Sequence, residues 1–316
     1  MPWTPAGWAE DFPGGGVYST DTCQLEAKLM ATLEGLTPSL NDLCDRYPFH
    51  TGWYLKDLAS GAEADRNGQV VVPSASTRKI SILMAALKAV NEGRFRLDQP
   101  VEIQAKYQNN DSGCFQHLQP GFTIQFRDCL VMMIIVSDNT CTGTVVDMLG
   151  LDCINDFCRS VGMTGTTHRN GIPPRPLPWD HPLEVVNTTT PADVGRLLDL
   201  IVRGTRDAAA AARLGVTPEL CRYGLEILSW QKLRSRLPSQ LPAGTKVAHK
   251  TGTGARNYND AGVVFAGNEP RFILTVFTEH VPPELPDGTP GHYAATYLIG
   301  RLARICWDFL VGGRRD

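Results

Sequence analysis

Strand-like segments stand at both ends of this 316-residue chain, and helical segments fill its middle. A chain ordered this way closes one antiparallel sheet only by bringing its two ends together. The helical block must then leave the sheet and return to it. Helical spacing runs from Gln24 to Cys44, with Leu25, Leu29, Leu33 and Leu36 on one side. Gly52 to Leu58 alternates, Ala59-Ser60-Gly61 supplies a turn, and Gln69 to Val72 is a β-branched run ended by Pro73; together they predict a hairpin. From Ser76 to Glu92 apolar residues recur at three and four, and Gly93 is a stop. Thr123–Ile135, Thr140–Leu149 and Asp152–Val161 read as further helices. A loop from Gly171 to Pro182 holds Pro173, Pro174, Pro176, Pro178 and Pro182. Thr190 as N-cap and Pro191 at the first helical position open a helix through Val202. Lys246–Thr251, Ala261–Ala266 and Phe272–Thr278 read as strands, and Tyr293–Leu310 as a closing amphipathic helix. The reading is α+β. Residues 1–23 form an irregular arm, 24–75 with 190–316 a sheet domain, and 76–189 a helical domain, with the active site between the two.

Composition narrows the partners. Hydrophobic residues make up 42% and charged residues 20%, with a formal net charge of −3. That is enough apolar material for a sizeable core, and no basic excess draws the chain to nucleic acid. The longest apolar run, Cys129 to Val136, is too short to span a bilayer. A small molecule is the expected partner, with neither nucleic acid nor membrane. The opening residues lack a basic segment followed by an apolar one, so a cytoplasmic protein is expected. The nine cysteines include no C-x-x-C pair, so no zinc or dithiol site is read. No cofactor or metal is implied, and the thiols are expected to be free.

Chemistry enters with Ser76-Thr77-Arg78-Lys79. A serine needs a base to become a nucleophile, and residues three apart lie on one helix face. Lys79 beside Ser76, desolvated by Ile80 and Leu83, can be that base. Taken singly, this is also what an N-cap serine and a solvated lysine look like. Ser137-Asp138-Asn139 is a polar break between two apolar helices, with Ser137 a proton relay and Asn139 an amide-binding group. Lys250-Thr251-Gly252 ends an apparent strand, where glycine lets a backbone approach a substrate and Lys250 offers charge. The three motifs follow in this order, 61 and then 113 residues apart, and the set is far more specific than any member.

On these motifs the chain resembles the class A β-lactamase family, the serine β-lactamases related to penicillin-binding proteins, from about Gln24 to Leu310. Gly121-Phe122-Thr123-Ile124, Thr188-Thr189-Thr190-Pro191 and Asn259-Asp260 extend the resemblance. It implies a five-stranded antiparallel sheet flanked by helices, plus a helical domain. It implies that Ser76 is the nucleophile, Lys79 its base and Ser137 the relay to the leaving nitrogen. Asn139, Lys250 and Thr251 would hold substrate. The backbone N–H groups of Ser76 and Thr253 would form the oxyanion hole, and Arg256 would assist at the substrate carboxylate. The implied function is a hydrolase opening a lactam or amide through an acyl-enzyme. An acyltransferase, esterase or peptidase using the same Ser-Lys pair, and an acyl-trapping penicillin-binding protein, are the alternatives.

The chain departs from the family at one place. Members carry a glutamate in the loop before the T-T-T-P helix, which activates the deacylating water. Here Arg169-Asn170-Gly171-Ile172-Pro173-Pro174 holds no acid. The supporting asparagine four residues after Asn139 is replaced by Gly143. Glu184, and after it Asp180, are the acids left in the loop that can serve as the deacylation base. His249 is expected to point away from the site, and Tyr107 or Phe115 to wall the cleft or pack in the core. Members with a disulfide place a cysteine seven after the nucleophile, where Leu83 stands here, so few or no bridges are expected.

Overall fold

The computed structural model describes residues 33–172 and 176–312. A helix covers residues 33–44 (α1). β1 (His50–Asp57) and β2 (Glu63–Arg66) form a hairpin, and the short β3 (Val72–Pro73) follows. A 3-10 turn, Ala75–Arg78, leads into α2 (Lys79–Asn91). The two-stranded ladder β4 (Pro100–Glu102) and β5 (Thr123–Gln125) precedes α3 (Phe126–Ile135), α4 (Asn139–Leu149) and α5 (Leu151–Ser160). After β6 (Thr188–Thr189) come α6 (Pro191–Gly204), α7 (Ala208–Arg213) and α8 (Pro218–Ser229). β7 (Val247–Thr253), β8 (Tyr258–Ala266), β9 (Glu269–Glu279) and α9 (Gly291–Leu310) complete the chain.

The main sheet has the order β2-β1-β9-β8-β7, every pairing antiparallel. β1 lies along β9 from His50↔Glu279 to Asp57↔Phe272, so the two ends of the chain meet as their strand patterns require. The five-stranded antiparallel α+β fold is the one expected. One side of the sheet, including Ala261, Val263, Ile273 and Phe277, shares a core with α2 to α6 and α8. The other side, including Trp53, Leu55, Val264 and Leu274, packs on α1 and α9. Ten of the thirteen residues of α2 are buried, Lys79 among them, because this helix is surrounded by others.

The hairpin differs from the sequence reading. The partner of β1 is Glu63–Arg66, not Gln69–Val72. The Asp57 carboxylate accepts from Ala59 N at 3.0 Å and Ser60 Oγ at 2.8 Å, which closes the turn at once and starts pairing at Glu63. Val72–Pro73 instead pairs with Thr188–Thr189, tying the segment before Ser76 to the end of the long loop. Two helices went unassigned from sequence, although their starts carry ordinary signals. Thr217 caps α8 ahead of Pro218, and Asp207 caps α7. No helix among the described residues is long and apolar enough to cross a membrane. The N-terminal arm, Cys23 and the first turns of the expected Gln24–Cys44 helix lie outside the described residues.

Candidate active site

The helix expected from Ser76 begins as a tighter turn. Ala75 takes a positive φ of 43°, an uncommon backbone state that holds Ser76 at the lip of α2. Ser74 anchors the turn from below, its N and Oγ donating to Asn187 O at 2.9 and 3.0 Å. Thr77 Oγ1 donates back to Ser74 O at 2.6 Å. Ser76 itself stays half-buried.

Lys79 starts α2 proper and is fully enclosed. Its Nζ donates to Ser137 O at 2.8 Å and Asn139 Oδ1 at 2.8 Å, and lies 3.1 Å from Ser137 Oγ. The first and second motifs therefore meet through one amine, and Ser76 Oγ is not among its partners. Burial pushes the Lys79 ammonium well below its usual range, with Lys250 and Arg78 adding repulsion against the attraction of Asp138. Ser137 also has a positive φ, 58°, in the break between α3 and α4. Asp138 fixes that break. Its Oδ1 accepts from Cys141 N at 3.0 Å as the N-cap of α4, and its Oδ2 accepts from Cys114 N and Phe115 N at 2.7 and 2.8 Å. The middle residue of S-D-N is thus a staple between elements.

The third motif closes the site from the sheet edge. A Cβ at Gly252 would sit 3.1 Å from Ser74 O, Ser76 N and Thr77 N. Glycine is what lets β7 lie directly against the Ser74–Thr77 turn. Lys250 is buried, its Nζ donates to Thr251 O at 2.8 Å, and burial lowers its pKa to about 7 despite Asp260. Thr251 is buried and Thr253 exposed. His249 points to Asp260, Nδ1 2.9 Å from Oδ1, while its buried Nε2 has no hydrogen-bond partner among the described residues. Among the described residues no cluster of three or more His, Cys, Asp or Glu is placed to hold a metal ion.

Three placements bear on the remaining candidates. Arg256 is engaged elsewhere: Nε donates to Glu279 Oε1 at 2.7 Å and Nη1 to Trp179 O at 2.8 Å. Trp179 Nε1 in turn donates to Val281 O at 2.9 Å, so Arg256 fastens the long loop to the end of the sheet. Glu184 is exposed on the short turn Leu183–Val185, and Asp180 is exposed as well. At Gly143 a Cβ would meet Tyr107 Cδ1 at 2.6 Å and Ile172 Cδ1 at 3.0 Å, so the place of the family's supporting asparagine is filled. Tyr107 therefore packs on α4, and Phe115 against Phe122.

Two arginines escaped sequence reasoning, because a charged residue between elements reads as surface. Arg236 is buried behind β7, donating from Nη1 to Gly252 O and Asn259 O at 2.6 Å each and from Nη2 to Thr253 Oγ1 at 2.5 Å. It is the guanidinium that touches the K-T-G strand, the position for which Arg256 was read. Arg78 is buried under the loop, where Nη2 donates to Gly171 O and Nη1 lies 3.4 Å from His168 Nδ1.

Residues 35–310 match the model of the beta-lactamase enzyme family. The chain belongs to that family. Two relatives from Pseudomonas aeruginosa show how far it has diverged. It is 22% identical to beta-lactamase VEB-1 over 258 residues, 77% of this chain and 79% of that one. It is 26% identical to the extended-spectrum beta-lactamase PER-1 over 222 residues, 69% of this chain and 65% of that one. Among solved structures, PBP-A superposes with a TM-score of 0.73 at 28% identity, covering 87% of this chain and 95% of that one. A mutant of PBP-A was solved as an acyl-enzyme complex with penicillin G. A beta-lactamase from Sphaerobacter thermophilus shares the fold at a TM-score of 0.74 and 24% identity, covering 87% of this chain and 96% of that one. An atypical class A member, as its motifs and its divergent loop suggest, fits all of these likenesses.

Proposed function

We propose that this family member is a serine acyl-transfer enzyme that opens a β-lactam or similar amide through an ester on Ser76. The observation that carries the reading is the convergence of the three motifs. Lys79 Nζ reaches Ser137 and Asn139, and Gly252 brings β7 onto the backbone of Ser76 and Thr77. A neutral amine has two N–H bonds and one lone pair. The carbonyl oxygens of Ser137 and Asn139 can only accept, so they take both N–H bonds and leave the lone pair for a hydroxyl proton. Lys79 then takes the proton of Ser76 as Oγ bonds to the substrate carbonyl carbon. The oxyanion sits between the backbone N–H groups of Ser76 and Thr253. The C–N bond breaks, and the proton passes from Lys79 through Ser137 to the leaving nitrogen. Lys250 and Thr251, with Arg236 behind them, hold the substrate carboxylate.

Hydrolysis of the ester is the slow half. The loop offers no acid at Ile172, Pro173 or Pro174, and Tyr107 occupies the space over Gly143. That observation favours a second reading, an acyl-trapping protein of the penicillin-binding type, in line with the likeness to PBP-A. Transfer of the acyl group to an amine, thiol or alcohol is the other outcome of a long-lived ester. The eight described cysteines are all free. Intact-mass spectrometry after mixing with penicillin G separates these readings. Turnover marks a hydrolase, a lasting adduct a trap, and no adduct an enzyme for another acyl donor.

A further inference from the structure

The middle of the long loop is tied to the end of β9 by a cluster rich in bases. Trp179 O accepts from Arg256 Nη1 at 2.8 Å, and Trp179 Nε1 donates to Val281 O at 2.9 Å. Arg256 is held from the sheet in turn, its Nε on Glu279 Oε1 at 2.7 Å and its backbone O accepting from Val281 N at 2.9 Å. Between Glu279 and Val281 stands His280, at a positive φ of 59° that few residues other than glycine adopt. Its imidazole lies edge-on to the Trp179 ring, with centroids 5.6 Å apart, and 5.2 Å from the ring of His50.

Two atoms of this cluster have no hydrogen-bond partner, His280 Nδ1 and Glu279 Oε2, and both are buried. With the ring proton on Nε2, Nδ1 can only accept, as a carboxylate oxygen can, so the two cannot serve each other. A second ring proton turns Nδ1 into a charged donor for that free oxygen. The imidazolium then competes with Arg256 for one carboxylate. Room for the ring to move is a cavity of about 420 Å³, on whose wall His50, Arg256, Glu279 and His280 all stand. The other charges nearby add to the competition. His50 lies opposite Glu279 in the β1–β9 ladder, and His181 is buried on the loop with Nδ1 3.2 Å from Pro182 O. The loop's own acids, Asp180 and Glu184, are exposed. Burial and Arg256 hold the His280 imidazolium below the ordinary value of 6.5, with His50 and His181 adding repulsion against the attraction of Glu279.

We propose that His280 is a positioning residue for the loop: its neutral imidazole leaves Glu279 to Arg256 and Arg256 to Trp179, and its protonation draws Glu279 away and releases the loop. A base whose folded pKa is lowered costs nothing above its ordinary value and weakens the closed form as pH falls below it. Release therefore belongs to mildly acidic solution, below pH 6.5. Pro176, Leu177 and Val186 of this loop wall the cleft beside Ser76, so release reshapes the cleft from a point outside it. The motion itself does not depend on Ser76 being the nucleophile; its effect on acylation does.

The test follows the loop and the imidazoles separately, by fluorine NMR of the 5-fluorotryptophan protein and nitrogen NMR of the ¹⁵N-histidine protein, from about pH 8 to about pH 5. Trp179→Phe assigns the Trp179 signal, and His280→Asn, which tolerates the same φ and does not titrate there, assigns His280. In the wild type the Trp179 signal should change with a midpoint below 6.5 that coincides with the titration of His280. In His280→Asn it should keep its pH 8 position throughout. A flat Trp179 signal in the wild type, or a transition that survives in His280→Asn, overturns the proposal. Should His280→Asn not fold, the wild type decides alone: midpoints of Trp179 and His280 that differ by more than about half a pH unit sink it. Acylation by penicillin G adds a second reading. The ratio of His280→Asn to wild-type burst rates, in which the titration of Lys79 cancels, should be near one at pH 8 and about threefold or more at pH 5. No adduct at any pH removes the Ser76 reading, and the NMR still decides the loop.

Discussion

Asn139 Oδ1 accepts a hydrogen bond from Lys79 Nζ at 2.8 Å inside a cluster that holds no carboxylate contact to that amine. The amine is thus oriented by neutral groups, and burial, Lys250 and Arg78 push its ammonium well below the usual range. Acylation should need no alkaline pH. Its rate should level off well below the lysine range near 10.5. Asn139→Asp places an anion where the amide stands, which favours the ammonium. Acylation at pH 7 should fall about tenfold or more, and its rise should move to higher pH. Stopped-flow measurement of the burst against pH reads both effects. An unmoved profile would exclude Lys79 as the base.

Ser76→Ala should abolish every covalent adduct and leave the fold unchanged, since Ser76 is half-buried and its turn is anchored by Ser74 and Thr77. Intact mass with penicillin G and circular dichroism check the two halves. An adduct on the variant would move the nucleophile elsewhere.

Buried Lys250 costs stability, and on the proposed function it binds the substrate carboxylate. Its pKa falls from 10.5 to about 7 on folding, so between those values the unfolded chain holds a proton that the folded chain has released. Stability therefore rises with pH through this window, and the cost is full below about pH 7. For a fully buried group that cost is on the order of a few kcal/mol. Lys250→Met should raise the melting temperature at pH 6, lose that advantage towards pH 10, and weaken binding of carboxylate substrates at least tenfold. A variant less stable at pH 6 would show that the buried charge is compensated.

Mixing with a reactive β-lactam should give a burst near one equivalent, then a steady state about 10²–10⁴-fold slower, the usual worth of a positioned general base. Glu184 is exposed, so Glu184→Gln should leave both phases within about twofold. A fall in the steady state alone would make Glu184 the base after all.

Thiol titration of the denatured, unreduced protein should find more than half of the nine cysteines reactive. In the native protein Cys114, which is exposed, should react first, while Cys44, Cys158 and Cys306, whose thiols burial pushes up in pKa, should resist. Few reactive thiols after denaturation would argue for disulfides and an oxidising compartment.

Gly143→Asn should destabilise the protein by ~1–3 kcal/mol, because its Cβ overlaps Tyr107 at 2.6 Å. Tyr107→Ala in the same chain should recover much of the loss. Urea melts of the single and double variants measure the coupling.

The sheet was legible because β1, β8 and β9 are apolar strands whose alternation or run length survives in one sequence. β2 was not. Glu-Ala-Asp-Arg is a polar edge strand, and edges use charge to stay soluble, which erases the hydrophobic signal. Ser76, Lys79, Ser137 and Lys250 were readable because spacing along a helix and order along the chain are sequence properties. Arg236 and Arg78 were not, since their burial depends on what packs over them. Arg256 was carried over from an expected register, while the actual position of a guanidinium depends on which acid it finds, here Glu279.

The contact between Tyr107 and Gly143 also constrains history. On the proposed chemistry a glutamate introduced into the loop would call for its asparagine as well, and the asparagine enters at a cost in packing while the tyrosine ring fills the space. Shrinking residue 107 first removes that clash, a step that by itself only gives up packing. Either order passes through a loss of stability before any gain, and slow release of the proposed acyl group would be a state that single substitutions leave only at that cost.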